Sequence, residues 1–202
     1  MIALIDYGVG NLRSVEKALA SVGGMVSLTS DADQIAAAEK VVLPGVGHFG
    51  DGMLGLVERD LVNPIIESVN QKKPFLGICL GMQLLFGGSD EAPGVDGLNL
   101  LPGTVHMFEG NTIKIPQIGW NQINPIGASP ILEGIEAGSY AYFNHGYYCD
   151  PAKDENILAT TEYGIEYASV VGQDHLYGVQ YHPEKSQQIG LKILRNFVEL
   201  CS

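Results

Sequence analysis

Short apolar runs alternate with stretches of helical periodicity through the first half of the chain. Met1 to Ile5 is apolar and ends in the turn-forming string Asp6-Tyr7-Gly8-Val9-Gly10. Asn11 then occupies an N-cap position, and Leu12, Val15, Leu19 and Val22 recur at the spacing of one helical face. Met25 to Leu28 predicts a strand, Asp33 to Ala38 a weak helix, and Val41 to Leu43 a buried strand. Met53 to Gln71 predicts helix in two pieces broken near Pro64. Phe75 to Ile78 predicts the next buried strand, with a helix over Leu80 to Phe86 directly after it. Strands that alternate with helices in this way predict a parallel sheet covered on both faces.

The pattern changes in the second half. Thr104 to Met107, Ser139 to Phe143, Ile157 to Thr161, Tyr167 to Val171 and Leu176 to Gln180 all predict strands, with little helix between them. Such a series suits antiparallel additions to the sheet. A closing amphipathic helix places Ile189, Ile193, Leu194, Phe197 and Val198 on one face. No repeat, low-complexity tract or linker interrupts the chain, so residues 1–202 are expected to form one α/β domain.

Composition narrows the chemistry. A net charge of −12 leaves no basic stripe for nucleic-acid phosphates, and a phosphorylated substrate would need cations from another subunit. No apolar run approaches the length of a membrane span. Three cysteines, Cys79, Cys149 and Cys201, with no secretory signal point to reduced thiols in the cytoplasm. No H-x-x-x-H, C-x-x-C or carboxylate cluster suggests a metal.

The stretch Pro74-Phe-Leu-Gly-Ile-Cys79-Leu-Gly81-Met-Gln83 has the form G-x-C-x-G between a strand and a helix. It is the cysteine counterpart of the serine nucleophile elbow, whose sharp turn needs small neighbours two residues to either side. The helix N-terminus favours a thiolate, and the Leu80 N–H would face a tetrahedral oxyanion. The competing reading is a small cysteine packed in the core. For Cys149 and Cys201 no elbow is present, and core packing or a frayed terminus is the better account.

Gly178-Val-Gln-Tyr-His182-Pro-Glu184-Lys-Ser186 follows a strand and precedes the last helix. A parallel sheet gathers its working residues at strand carboxyl ends, so this turn can lie beside the elbow. His182 could take the thiol proton and later return it to leaving ammonia, and Glu184 could fix the imidazole tautomer. A second strand end, Pro44-Gly-Val46-Gly47-His-Phe-Gly50, matches G-x-G-x-x-G in spacing but lacks the immediate helix and distant acid of a dinucleotide site. It could instead offer the N–H of Val46 or Gly47 to an oxyanion, or it could be an ordinary turn.

Taken together, these motifs resemble the class I, or triad-type, glutamine amidotransferases: GICLGMQ for the nucleophile, PGVG for the oxyanion strand and GVQYHPEKS for the histidine and glutamate. The strings DYGVGNLRSV, LPGVGHFGDGM, EAPGVDGLNLLPG, KIPQIGWN and HPEKS are similar to those of one branch, the glutaminase subunits of imidazole glycerol phosphate synthases in histidine biosynthesis. The resemblance implies a flavodoxin-like three-layer fold with antiparallel extensions, docked as a heterodimer on the mouth of a (β/α)₈ cyclase subunit. It implies no cofactor. Glutamine would acylate Cys79, and the ammonia would pass to the partner, which makes imidazole glycerol phosphate and an aminoimidazole carboxamide ribotide.

By the same resemblance, Gln83, Glu91, His145 and Tyr147 match positions that hold glutamine. Asn11, Trp120, Tyr142 and Lys185 match positions at the synthase interface, although Trp120 and Tyr142 could equally be ordinary aromatics. Trp120, flanked by Gly119 and Asn121, suits a loop better than a core strand. One departure stands out: family members read close to YFVHSYY, with a hydroxyl after the histidine, whereas this chain has Gly146 there. The flexible Gly45-Val46-Gly47 segment is expected to keep activity low until the partner reorients it.

Overall fold

The computed structural model describes residues 1–110 and 113–201. In chain order the elements are β1 (Ile2–Ile5), α1 (Leu12–Ser21), β2 (Val26–Thr29), α2 (Ala32–Ala37), β3 (Lys40–Leu43), α3 (Phe49–Glu58), α4 (Val62–Asn70), β4 (Phe75–Ile78) and α5 (Leu80–Gln83). Then follow β5 (Gly103–Met107), β6 (Gln117–Pro125), β7 (Ser139–His145), β8 (Tyr147–Pro151), β9 (Ile157–Glu162), β10 (Glu166–Gln173), β11 (Leu176–Val179) and α6 (Gln187–Glu199).

The strands join in the order β2-β1-β3-β4-β11-β10-β9-β6-β7, with β8 pairing β10 and β5 off this path. Pairing is parallel from β2 through β11 and antiparallel beyond it. The α/β architecture and the change of direction in the C-terminal half agree with the apolar pattern. Alternation along β1 shows the layering: Ile2 and Leu4 pack with Val15 and Leu19 of α1 and Ile193, Leu194 and Phe197 of α6. Ala3 and Ile5 pack on the other face with Ile35 of α2, Met53 and Leu56 of α3, and Ile65 of α4. Among the described residues, no helix is long and apolar enough to cross a membrane.

Several local expectations change. The helix break falls at Asp60, whose φ is 55°, rather than at Pro64. Pro64 lies in the first turn of α4, where a missing N–H costs no intrahelical bond. Asn11 sits at the cap position of α1 but its side chain makes no capping bond. The helix after Cys79 ends at Gln83 and continues as turns instead of reaching Phe86. Strands β6 and β8 were not expected, and Trp120 lies in β6 opposite Tyr142 rather than in a loop. Cys201 is buried against the core, not frayed.

Candidate active site

Two neighbouring parallel strands create the site. β4 and β11 pair with Ile78 opposite Val179, so the residues that leave their carboxyl ends emerge side by side. Cys79 follows β4 directly, and its N–H donates to the Val179 carbonyl at 2.8 Å. Its φ of 54° and ψ of −110° are a strained conformation for a residue with a side chain. The neighbours explain how the turn closes. A Cβ on Gly77 would lie 2.6 Å from the Gly81 carbonyl oxygen, and one on Gly81 would lie 1.8 Å from the Leu43 carbonyl oxygen. Only glycine lets β4, α5 and the end of β3 approach this closely. Cys79 is 5% exposed.

Beyond β11 the chain makes a short 3₁₀ turn over Pro183–Lys185, and it seats His182 and Glu184. The His182 Nδ1 lies 2.9 Å from Glu184 Oε1, and both side chains are 2% exposed. Ser186 Oγ donates to the His182 carbonyl and accepts from the Tyr142 N–H, while the His182 N–H donates to the Tyr142 carbonyl. The backbone on either side of the imidazole is therefore pinned to β7. Burial, the largest single influence, pulls the His182 pKa down, but the Cys79 sulfur and then the Glu184 carboxylate outweigh it and push the value up to about 10. Nε2 has no hydrogen-bond partner of good geometry among the described residues, although the sulfur is near enough to act on the ring. Catalytic hydrogen bonds are often loose before substrate binds.

Cys79 opens onto a cavity of about 310 Å³. Val46, Gly47, Leu80, Gln83, Glu91, His145 and Tyr147 all line it. Seven residues far apart in the chain thus meet around the thiol. Larger hollows near Trp120 and near Asn156 are lined by no cysteine or histidine. Glu91 Oε2 accepts from the Phe49 N–H at 2.7 Å, one of the free donors at the start of α3, which fixes the carboxylate at the rim. Gln83 Nε2 donates to the Tyr147 carbonyl at 3.1 Å and to Gln180 Oε1 at 3.2 Å.

His145 offers the cavity no free nitrogen. Burial, chiefly, lowers its pKa to about 4, so the ring is neutral. Nδ1 lies 2.7 Å from the Tyr147 carbonyl and must donate to it, which leaves Nε2 as an acceptor 3.3 Å from the Tyr167 hydroxyl. That hydroxyl also lies 2.9 Å from Gln117 Oε1, and its single hydrogen cannot serve both. Exchanging the oxygen and nitrogen of the Gln117 amide resolves the conflict. The amide nitrogen, otherwise unpartnered, then donates to Tyr167, and Tyr167 donates to His145. His145 thus orients the Tyr147 carbonyl.

Of the three N–H groups expected to face an oxyanion, that of Leu80 is occupied. The Leu80 N–H donates to the Gly45 carbonyl at 3.3 Å. A trans peptide points its N–H away from its C=O, so the Val46 N–H of that unit faces the opposite way. Gly146 lines the cavity, and a Cβ there would meet Ile115 and Pro116 no closer than 3.7 Å, so the backbone does not exclude a side chain at this position.

Trp120, Tyr142 and Lys185 form one cluster on the outer surface. The two rings meet edge-on at 6.0 Å, and the Lys185 ammonium lies 5.8 Å from the Tyr142 centroid. Trp120 is 46% exposed. Asn11 is exposed at the start of α1, which packs against the Pro183–Lys185 turn, and stands beside Gly10, which packs toward Gly45. The sequence motifs passed over Gln180, whose buried amide donates to Cys79 Sγ at 3.9 Å. Its place at the end of β11, two residues before His182, was the available signal. No group of three or more His, Cys, Asp or Glu among the described residues is placed to hold a metal.

Residues 3–201 match the family described as Glutamine amidotransferase class-I. The imidazole glycerol phosphate synthase subunit HisH of Syntrophotalea carbinolica is 45% identical over 99% of this chain and 100% of its own length. The subunit of the same name from Methanosarcina mazei is 48% identical over 99% of this chain and 98% of its own. A solved glutamine amidotransferase superposes over 100% of this chain and 99% of its own with a TM-score of 0.78 at 16% identity, a likeness of fold. With nearly half its residues shared along the full length of those subunits, the chain belongs to the class I glutamine amidotransferase family, in its HisH branch.

Proposed function

We propose that this chain hydrolyses glutamine to glutamate and ammonia and hands the ammonia to the cyclase subunit of an imidazole glycerol phosphate synthase. The observation that carries the reading is the sealed His182–Glu184 pair beside a strained thiol at the wall of a small polar cavity. Its volume is at the lower end for ligand sites, which suits an amino acid.

In the proposed reaction the Cys79 thiolate attacks the glutamine carboxamide carbon. His182, protonated and held by Glu184, gives its proton to the leaving ammonia, and a thioester remains. Neutral His182 then deprotonates a water that attacks the thioester, and glutamate leaves as the thiol is restored. Glu91 keeps one oxygen for the substrate α-ammonium, while Gln83 and Tyr147 border the same cavity. Leu80, Val46 and Gly47 supply the oxyanion donors once the Gly45–Val46 peptide turns over. As it stands, the Gly45 carbonyl occupies the Leu80 N–H, so the isolated chain is a resting enzyme.

The partner is a (β/α)₈ cyclase that docks on Asn11, Trp120, Tyr142 and Lys185, and the two form a heterodimer in the cytoplasm. Three free cysteines suit that reducing compartment. The test is a glutaminase assay with and without the cyclase. Glutamate release should rise sharply when the partner is present and vanish in Cys79→Ala. Normal turnover by the alanine variant would remove the nucleophile, and full unstimulated turnover by the isolated chain would remove the resting state.

A further inference from the structure

We propose that Tyr7 is a positioning residue for the oxyanion peptide: it anchors the Pro44 carbonyl, so that the reorientation is confined to the single Gly45–Val46 unit. This rests on the resting-state reading above. Tyr7 is fully buried just beyond β1, and its hydroxyl donates to the Pro44 carbonyl at 2.7 Å. A buried phenol needs some acceptor. What distinguishes this one is that it holds the peptide immediately before the unit that must turn.

The same hydroxyl wedges the pivot. A Cβ built on Gly45 would lie 2.3 Å from Tyr7 Oη and 2.9 Å from Leu80 Cβ, so the Gly45 Cα is held between the phenol and the first residue of α5. Gly10, from the loop after β1, closes a third side, since a Cβ there would stand 3.6 Å from the Gly45 Cα. With the carbonyl before it anchored and the Cα wedged, the remaining freedom is ψ of Gly45 and φ of Val46. These are the two rotations on either side of one peptide. Turning it withdraws the Gly45 carbonyl from Leu80 and presents the Val46 N–H on the same side. Gly47 has a φ of 108° and open space where a Cβ would sit, so the chain beyond the pivot can follow. Burial, reinforced by the nearby Cys79 charge, pushes the Tyr7 pKa far up and keeps the hydroxyl a donor at every working pH. Tyr7 does not line the cavity, so it has no direct part in holding glutamine.

The test is Tyr7→Phe in the full chain, assayed for glutamine turnover with and without the cyclase subunit, together with a thermal melt. Phenylalanine keeps the ring, and one neutral hydrogen bond is a small part of a domain's stability, so the variant folds. The partner-stimulated kcat should fall by about 3- to 10-fold, the effect of losing one orienting hydrogen bond, while the glutamine KM stays within about twofold. An unchanged stimulated kcat beside a lowered melting midpoint would make Tyr7 merely structural and overturn the proposal. A raised KM at constant kcat would overturn it as well. If the parent enzyme itself shows no stimulation, the resting-state reading fails and takes this one with it. If the parent is stimulated and the variant matches it, only the role of Tyr7 is lost.

Discussion

Replacing Glu184 by glutamine removes one charge from a sealed pair, keeps its size and exchanges one acceptor oxygen for a donor NH₂. Both partners are 2% exposed, and Nδ1 and Oε1 lie 2.9 Å apart. Burial pulls the His182 pKa down, yet Cys79 and then Glu184 push it from 6.5 up to about 10. At about 1.4 kcal/mol per unit, that rise is a preference of roughly 5 kcal/mol for the protonated ring, held jointly by sulfur and carboxylate. Losing the carboxylate charge from this buried hydrogen bond should cost about 2 kcal/mol, the usual range for a hydrogen bond to a charged group. The folded pKa lies above the unfolded one, so this stabilisation is complete below about pH 6.5 and is lost as pH rises through about 10. Glu184→Gln should therefore be about 2 kcal/mol less stable than the parent at pH 6, with the deficit shrinking toward pH 10.

The kinetic loss is larger, because an amide supports the imidazolium poorly and does not enforce the tautomer. The kcat should fall about a hundred- to ten-thousandfold, as when other triads lose their acid. KM should change little, since neither His182 nor Glu184 lines the cavity. Urea unfolding at pH 6, 8 and 10 and steady-state glutamate release with the partner present measure both effects. A stability deficit that is the same at pH 6 and pH 10, or a kcat within tenfold of the parent, would refute the reasoning.

Gly81→Ala places a methyl 1.8 Å from the Leu43 carbonyl oxygen, an overlap with backbone that no rotamer relieves. It should cost about 3 kcal/mol or more and abolish turnover, and a melting midpoint equal to the parent's would contradict the close-approach argument. Trp120→Ala removes an exposed ring that rests edge-on against Tyr142. Calorimetric titration should show affinity for the cyclase weakened by about 2 kcal/mol, roughly 30-fold, with little change in the melt of the isolated chain. Unchanged affinity would move the docking surface elsewhere.

Much of the site could be read from neighbouring residues. The elbow at Cys79 is written in Gly77 and Gly81, because a sharp strand-to-helix turn is a local steric demand. The pairing of His182 with Glu184 across Pro183 is likewise short-range, and the apolar runs of β1, β3 and β4 announce buried parallel strands. Features that depend on distant partners were not legible. β6 carries Gly119, Asn121 and Pro125 and turns Ile118 and Trp120 outward, so its strand character comes from pairing with β7 and β9 and not from its own periodicity. The helix break at Asp60, the donor role of Gln180 and the occupied nitrogens of His145 are also consequences of packing.

By itself the sequence determined the chemical groups, the turns that present them and the α/β order of elements, since sterics and periodicity act between near neighbours. Only the tertiary structure decided that β11 lies against β4 and so brings the imidazole to the thiol. It alone decided, too, that the Gly45 carbonyl rests on the Leu80 N–H. Both outcomes are set by hydrogen bonds between segments far apart in the chain, whose partners no local pattern names.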